Sequence, residues 1–425
     1  MVAQEVRCRD ELGLFTAALG LTGLWRVART EFDAQQTRLD LYLEFDRGAR
    51  FPCPVGGCAH DACPVHDTAD KTWRHLDFFQ HKALLHARAP RVRCPEHGVR
   101  QVSVSWARPG SGFTMLFEAL ALTFAKAMPV SKVAEMTREH DTRIWRVLEH
   151  HVHAARDCED FSTVGKVGMD ETSARKGQDY VSIFADMELG RVLFATEGRS
   201  ADTLARFATD LAEHGGDPTK ITDTSSDMSA AFISGIGEHL PNATMTFDRF
   251  HVAAKLSEAV NEVRRAEVKT RPELKHTRWL WLKNWTNLSA KQQGELHQLM
   301  RPSAQLATAR ALRWREDFQA FYDQDPSYAS EYLRRWCYGA KRSRLQPIKD
   351  FVTLVEKHWD GLLAWHASRL NNGLLEGINS LVQAAKARAR GYRNKNKMIT
   401  IIYLTAAKLQ LPTVTNPRPA YMASR

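Results

Sequence analysis

The sequence predicts a multidomain α+β protein: a mixed-sheet core interrupted by an all-α insertion, preceded by a small cysteine-rich module and a short helical module. The chain has 425 residues, enough for several domains. Strand-type patterns are concentrated between residues 163 and 249, and a tryptophan-rich helical pattern follows for more than a hundred residues. The expected segments are the cysteine-rich module (1–110), the helical module (113–160), the first part of the core (161–255), the insertion (256–370), the last part of the core (371–411) and a loose tail (412–425).

The charge balance favours a polyanionic partner. Lysine and arginine number 59 against 49 acidic residues, a formal net charge of +10, and nucleic acid is the commonest polyanion that basic proteins bind. No membrane span is expected, because the apolar run 12–25 is interrupted by glycines and is shorter than the ~20 residues that cross a bilayer. We therefore expect a cytoplasmic protein whose cysteines are reduced thiols or metal ligands.

Four of the seven cysteines lie close together in the first hundred residues. Two pairs of possible ligands stand beside prolines: Cys53 with Cys58, and Cys94 with His97. Zinc takes four such ligands in a tetrahedron, and paired turns hold them without a large core. We therefore predict one structural zinc ion on these four side chains. Cys63 and His66 form a competing pair and remain alternatives.

Residues 113–160 have the pattern of three short helices. Pro129 would end the first helix, and a turn near Asp141 would separate the second from the third. Three short helices joined by tight turns fit a DNA-binding helix-turn-helix, and they fit a plain helical linker equally well.

Between residues 163 and 249 the pattern is three strands followed by alternating helices and strands. The expected strands are Val164–Asp170, Tyr180–Asp186, Arg191–Thr196, Lys220–Thr224 and Thr244–Phe247. Ser200 is expected to cap the first helix, with Leu204, Phe207 and Leu211 facing inward. This order is expected of a ribonuclease-H-like core, although β-α alternation alone would also fit many doubly wound folds.

Two aspartates stand where predicted strands end. Asp170 closes the first strand and Asp227 follows the fourth, and in a ribonuclease-H-like sheet those strands are neighbours. Adjacent carboxylates repel one another unless a cation lies between them. Two Mg²⁺ ions, or Mn²⁺ in their place, could there activate the attacking oxygen and stabilise the leaving oxygen of a phosphodiester. Asp227 could also be only a helix cap. Asp248 follows the fifth strand and is a supporting residue or alternative second acid, with a structural role at least as probable.

A final helix from about residue 371 to 389 would carry the third acid. Polar residues at spacings of four, three, four, three and four line one face of it: Asn372, Glu376, Asn379, Gln383, Lys386 and Arg390. A solvated stripe is the ordinary explanation, but one carboxylate flanked by amides and then cations is typical of a metal ligand beside a phosphate track. We predict that Glu376 joins Asp170 and Asp227 as a catalytic residue and Mg²⁺ ligand. The DNA-binding candidates on this face and in the basic stretch after it are Asn372, Asn379, Lys386, Arg388, Arg390, Arg393 and Lys395.

These motifs resemble those of the ISL3 family of insertion-sequence transposases, which belongs to the DDE superfamily. The Cys53–His97 region is similar to the family's zinc-binding segment, and residues 113–160 resemble its helix-turn-helix. Short motifs then follow in the family's order: Gly168-Met-Asp-Glu171, Ser226-Asp-Met-Ser229, Phe247-Asp-Arg-Phe-His-Val252, Asn372-Gly-Leu-Leu-Glu-Gly-Ile-Asn379 and Arg390-Gly-Tyr-Arg393. The first, second and fourth look like the segments that carry the three acids. The spacing of Cys53 and Cys58 is wider than the family's close pair.

The resemblance implies a ribonuclease-H-like core that uses Mg²⁺ to hydrolyse transposon ends, after which the freed 3′-hydroxyl attacks target DNA. The N-terminal modules would bind terminal inverted repeats in double-stranded DNA. Because two ends must be joined, at least a homodimer is implied, in a bacterial cell and associated with the nucleoid. Two rival functions are a zinc and helix-turn-helix regulator without catalysis, which needs no three separated acids, and a ribonuclease-H-like nuclease that cuts without joining.

Overall fold

The computed structural model describes residues 11–21, 23–175 and 179–419, and the statements that follow concern those residues. The chain divides into two compact units, Met1–Cys158 with Leu409–Arg425, and Glu159–Lys408. None of the described helices combines the length and the apolar character needed to cross a membrane.

The first unit contains a six-stranded sheet and four helices. Its strands are β1 (Trp25–Asp33), β2 (Arg38–Phe45), β3 (Arg50–Phe51), β4 (Cys63–Arg74), β5 (Lys82–Cys94) and β6 (Gly98–Gln101). They are ordered β1-β2-β5-β4-β3, with β6 paired to β5. Its helices are α1 (Glu11–Ala18), α2 (Met115–Ala127), α3 (Val130–Thr137) and α4 (Asp141–Arg156). Alternate residues of the long strands, such as Leu41 and Leu85, are buried in one hydrophobic cluster.

A buried ionic network holds the helices of this unit together. Glu118 of α2 has no exposed surface, and its carboxylate accepts hydrogen bonds from Arg108 Nε (3.0 Å), Ser111 Oγ (2.6 Å) and His151 Nε2 of α4 (2.7 Å). A buried carboxylate is tolerated only when it is paired in this way. The stretch 108–112 is therefore anchored to the helices.

The end of the chain also belongs to this unit. Leu411 is buried, and the Arg418 guanidinium donates to the carbonyl of Ser105. Residues 412–419, which we expected to be loose, therefore contact the first unit. Residues 420–425 lie outside the described part of the chain.

The second unit is built on a five-stranded sheet. Its strands are β7 (Lys166–Arg175), β8 (Asp179–Asp186), β9 (Arg191–Glu197), β10 (Asp223–Ser226) and β11 (Thr244–Phe247), ordered β11-β10-β7-β8-β9. β7, β8 and β9 are antiparallel, whereas β10 pairs in parallel with both β7 and β11. The first and fourth strands are neighbours, as predicted. β7 continues past its expected end at Asp170 to Arg175, because β8 pairs with it over that length.

Helices α5 (Asp202–Glu213) and α6 (Ala230–His239) connect the strands of this sheet. The inward positions predicted for α5, Leu204, Phe207 and Leu211, are fully buried. The prediction that Ser200 caps α5 was wrong: the capping position is Ala201, which makes no side-chain bond, and Ser200 contributes only its carbonyl oxygen to Thr203.

A helical region follows β11, and residues 249–368, all of them described, contain no strand. It consists of α7 (Arg249–Glu267), α8 (Arg278–Leu282), α9 (Ala290–Leu299), α10 (Ala307–Gln319), α11 (Pro326–Ala340), α12 (Gln346–Lys357) and α13 (Trp359–Ser368). Its own hydrophobic core includes Leu256, Trp281, Phe318 and Val352. The chain then returns to the sheet through α14 (Gly373–Arg388) and α15 (Lys395–Ala406).

The contact between α13 and β11 gives a test of this packing. A Cβ added at Gly361 would lie 2.3 Å from Cε2 of Phe247, a ring that is itself buried. Gly361→Ala should therefore lower the free energy of unfolding by about 1–3 kcal/mol, seen as a lower midpoint in urea or thermal unfolding. Gly294→Ala in α9 is the matched control, because its added Cβ meets nothing within 4 Å and alanine is favoured in helices. Equal effects of the two substitutions would contradict the packing described.

Candidate functional sites

Four side chains of the first unit form a compact cluster: Cys53, Cys58, Cys94 and His97, whose ligand atoms all lie within 4.8 Å of one another. The Sγ atoms of Cys58 and Cys94 are 3.7 Å apart, and His97 Nδ1 lies 3.6 Å from Cys94 Sγ and 3.7 Å from Cys53 Sγ. Zinc bonds of about 2.3 Å to sulfur and about 2.0 Å to nitrogen place tetrahedral ligands roughly 3.5–3.8 Å apart. The cluster therefore has the dimensions of a zinc site.

The local backbone prepares these ligands. Cys94 ends β5, and His97 lies on the turn that leads into β6. Burial opposes ionisation of Cys94, yet the backbone N–H groups of His97 and Glu96 at its sulfur lower the pKa of the thiol to about 6. Cys63 and His66 lie outside this group of four. Cys63 Sγ lies 3.7 Å from the carbonyl of His60, and burial together with the nearby thiols of Cys94 and Cys53 raises its pKa. His66 faces Asp67.

In the second unit, strand register brings the two predicted aspartates together. Ser225 of β10 pairs with Gly168 of β7 in parallel, so Asp170 on β7 and Asp227, the first residue after β10, lie at the same end of two neighbouring strands, and the charge of Asp227 acts on Asp170. Oδ1 of Asp227 accepts the N–H of Ser229 (2.9 Å), which orders the start of α6. Asp227 is not itself the cap of α6, a position that Ser229 occupies, and within the described residues its Oδ2 accepts no hydrogen bond, so one oxygen is available.

Asp248 is level with Asp227, because β11 pairs in register with β10, but its surroundings differ. It is fully buried; its Oδ1 accepts the N–H of Asn372 (3.3 Å), and its Oδ2 accepts the N–H of His251 and lies 3.0 Å from His251 Nδ1. Burial opposes ionisation of Asp248, but the contacts with His251 and Asn372 hold its pKa below the usual value. Both oxygens are engaged, which is the arrangement of a structural anchor.

The charges in this pocket concentrate around Asp170. Burial and the charges of Asp227 and Asp248 raise the pKa of Asp170, although the N–H of Glu171 donates to its Oδ1 (2.8 Å). Burial, followed by the charge of Asp227, raises the pKa of Glu171 to about 7. Sequence reasoning missed Glu171, whose only signal was its place beside Asp170. Hard carboxylate oxygens that repel one another in a half-buried pocket fit a divalent cation such as Mg²⁺.

The helix that carries Glu376 is held on the first strand of this sheet. Leu375 packs so closely over Gly168 that an added Cβ there would lie 2.9 Å from Leu375 Cδ1. Three side chains of the polar face of α14 donate to β7: Asn379 Nδ2 to Asp170 Oδ2 (2.6 Å), Gln383 Nε2 to Thr172 Oγ1 (2.7 Å) and Lys386 Nζ to the carbonyl of Ser173 (2.6 Å). The polar face therefore points at β7.

Glu376 lies between two residues that contact the aspartates. Asn372, four residues earlier, donates to Asp248, and Asn379, three residues later, donates to Asp170. On a helix such spacings place Cβ atoms about 5–6 Å apart on one face, and the Glu376 side chain is exposed there. Within the described residues, three or more His, Cys, Asp or Glu ligand atoms lie within 4.8 Å of one another only in the cysteine–histidine cluster. The carboxylate oxygens of Asp170, Asp227 and Glu376 are therefore more widely spaced than the zinc ligands.

Several expected DNA contacts lie inside the protein instead. Asn372 is fully buried and accepts the Ser225 hydroxyl at 2.6 Å, so it cannot reach DNA here, and Asn379 is bonded to Asp170. Lys395 lies in ion pairs with two acids, at 2.7 and 2.9 Å. The exposed cations of the set are Arg388, Arg390 and Arg393.

Comparison with known proteins agrees with the order of these sites. A family model described as a transposase, of the ISL3 type, matches residues 167–402, more than half of the chain. A model described as the helix-turn-helix domain of transposase family ISL3 matches residues 102–152. The match confirms the interpretation of α2, α3 and α4 as a helix-turn-helix rather than a plain helical linker. A model for the zinc-finger of transposase IS204/IS1001/IS1096/IS1165 matches residues 50–97.

Two curated relatives are similar over most of their length. The transposase for insertion sequence element IS1001 of Bordetella parapertussis is 28% identical over 351 residues, which cover 80% of this chain and 85% of the relative. The transposase for insertion sequence element IS1557 of Mycobacterium tuberculosis is 26% identical over 372 residues, covering 79% and 82%. With its zinc-finger, helix-turn-helix and catalytic segments all matched, the chain belongs to the ISL3 family of transposases.

Proposed function

We propose that this transposase binds the terminal inverted repeats of an insertion sequence and cuts and joins DNA with Asp170, Asp227 and Glu376. The observation that supports the proposal is the position of Glu376 on α14 between Asn372 and Asn379, which are bonded to Asp248 and Asp170. A regulator without catalysis would need no acids on these three separate segments.

The sheet supports a ribonuclease-H-like core. Three antiparallel strands are followed by two strands that extend the sheet in parallel from the side of the first, in the order β11-β10-β7-β8-β9. That order puts the ends of the first and fourth strands together, where such cores carry their acids. The helical insertion, 256–370 in our division, then lies between the second acid and the third.

Asp170, Asp227 and Glu376 would hold the divalent ions, and we propose two Mg²⁺ ions. When bound, such ions polarise a phosphodiester and stabilise the charge that develops on its oxygens. Asn379 orients the Asp170 carboxylate through its Nδ2, and its own Oδ1 is buried without a hydrogen-bond partner among the described residues. The exposed arginines Arg388, Arg390 and Arg393 would bind the backbone phosphates beside the site.

The reaction has two steps of the same kind. A water oxygen first attacks phosphorus at the transposon end; the bond from phosphorus to the 3′-oxygen breaks, and the oxygen leaves as a 3′-hydroxyl. That hydroxyl then attacks a target phosphodiester, forms a new bond to its 5′-phosphate and releases a target 3′-hydroxyl.

Two ends must be joined, so we propose a dimer or larger assembly on double-stranded DNA. The segments 1–110, with one zinc ion on Cys53, Cys58, Cys94 and His97, and 113–160 would recognise the ends.

Removing any of the three acids should abolish cutting without affecting binding. Asp170→Asn, Asp227→Asn and Glu376→Gln should each lower cleavage of a plasmid carrying the transposon ends by about 10³-fold or more, with unchanged end binding in a gel-shift assay. Asp202→Asn, an exposed acid on α5, is the control and should cut normally. A fully active variant among the three would show that its residue is misassigned.

Asp248 should behave as an anchor. Asp248→Asn loses a charge-assisted contact worth about 1.5–3 kcal/mol, so it should lower the free energy of unfolding by about that amount and cause only a modest loss of cleavage. The loss should be far smaller than that of Asp227→Asn, and the Mg²⁺ concentration for half-maximal cleavage should not change. A loss as complete as that of Asp227→Asn, with a shifted metal requirement, would make Asp248 the second metal ligand.

The zinc cluster should be needed for binding DNA ends. Cys94→Ser removes one of four ligands, so the purified chain should lose its zinc, measured by plasma mass spectrometry, and bind the ends at least ~10-fold more weakly. Cys158→Ser is the control, because Cys158 is exposed and lies outside the cluster. One zinc ion per chain in Cys94→Ser, with normal end binding, would rule out this assignment.

A further inference from the structure

One segment of the helical insertion combines exposed tryptophans with unpaired positive charge. We call residues 275–291 the basic aromatic segment; it runs through α8 to the start of α9. Of the eleven tryptophans, all of which lie in the described ranges, Trp279 (58% exposed) and Trp285 (45%) are the only ones with exposed side chains. Single exposed aromatic rings are ordinary, but two tryptophans six residues apart give this short segment two large flat rings on its surface.

The charge of this segment has one sign. No aspartate or glutamate occurs between Glu273 and Glu295. Four cations, Lys275, Arg278, Lys283 and Lys291, are exposed there, and within the described residues none of them forms an ion pair with an acid.

Further cations of α7 lie beside the segment. Burial, together with repulsion from Arg278 and Arg265, lowers the pKa of Arg264, so three guanidinium groups are close together. Arg278 also lies over the ring of Trp279, 4.9 Å from its centroid, which brings a cation and an aromatic ring to one place on the surface. Such a surface fits a polyanion that also offers flat rings.

Buried side chains fix the backbone of the segment. Arg315 of α10 is buried and donates to the backbone carbonyls of Trp281 (2.8 Å) and Lys283 (3.3 Å). Trp281 itself is fully buried, and its Nε1 donates to Thr277 Oγ1. The C-terminal end of α8 is therefore held in place before a partner binds, which lowers the entropic cost of binding.

We infer that the basic aromatic segment binds unpaired bases of DNA, with Trp279 and Trp285 stacking on bases and the neighbouring cations contacting phosphates. Duplex DNA would use the cations alone, because its bases are already stacked and hidden from the rings. The inference rests on the proposed function only in taking DNA as the partner. A staggered cut or local melting at a transposon end leaves unpaired bases near the cut, and this surface would hold them.

The test uses the full-length chain and a mixed-sequence 20-nucleotide single strand, with the matching duplex as a second probe. Trp279→Ala/Trp285→Ala should bind the single strand about tenfold or more weakly by fluorescence anisotropy, while duplex binding changes less than twofold. Trp279→Phe/Trp285→Phe keeps aromatic rings and should retain most of the affinity. The matched control is Tyr338→Ala, another exposed aromatic of the insertion, whose ring Arg342 covers.

A second measurement reports stacking directly. A 2-aminopurine in the single strand should lose fluorescence on binding the wild-type chain, and this quenching should disappear in the double alanine variant. Unchanged single-strand affinity and quenching in that variant would overturn the inference. An equal loss of affinity for the single strand and the duplex would also overturn it. So would a change seen only in the oligomeric state by sedimentation, because it would mean that a second copy of the chain covers the tryptophans. Asp170→Asn should bind the single strand normally, so failure of cleavage and failure of this surface are distinguishable.

Discussion

The contact between α14 and β7 is the constraint on which the catalytic unit depends. Asn379 and Asp170, 209 residues apart, are joined by a hydrogen bond of 2.6 Å, and Gln383 and Lys386 continue the same row of bonds along the strand. Met187 and Leu375 together fill the space above Gly168, where a side chain would not fit. Without this row, the segment that follows the insertion, with the proposed third acid Glu376, would have no fixed position relative to the aspartates.

The insertion can be large because its two ends meet. Asp248 begins α7, where the chain leaves the sheet, and its carboxylate also accepts the N–H of Asn372, where the chain returns. The entropic cost of closing a loop grows only slowly with its length, and the insertion has its own hydrophobic core. One buried carboxylate therefore connects the two ends of a helical region without displacing the strands that carry Asp170 and Asp227.

The sequence was most informative where local pattern and chemistry agree. The alternation and turns placed four of the five core strands within about two residues of their observed starts, and the clustering of cysteines indicated the four side chains that converge. The first and fourth strands were correctly expected to be neighbours. The local pattern could not reveal which distant segment packs against each strand or helix face. β7 is longer than expected because β8 pairs with it, and Ser200 has no capping role because α5 begins one residue later, after Ala201.

The polar face of α14 shows this limit most clearly. Amides and cations at helical spacing fit a phosphate track and a hydrogen-bonded packing face equally well, and only the position of β7 decides between them. Asn372 is buried for the same reason. Likewise, a tryptophan-rich composition could not tell that Trp281 lies in a core while Trp279 and Trp285 face outward, because burial is set by contacts between distant helices.

The most direct test of the central claim is the position of divalent ions in crystals of the protein bound to transposon-end DNA and soaked in Mn²⁺. Anomalous scattering should show Mn²⁺ between Asp170 and Asp227, with Glu376 in contact with an ion that Asp170 also binds. Ions bound by the aspartates while Glu376 points away from them, or ions bound elsewhere in the chain, would contradict a catalytic pocket assembled by α14.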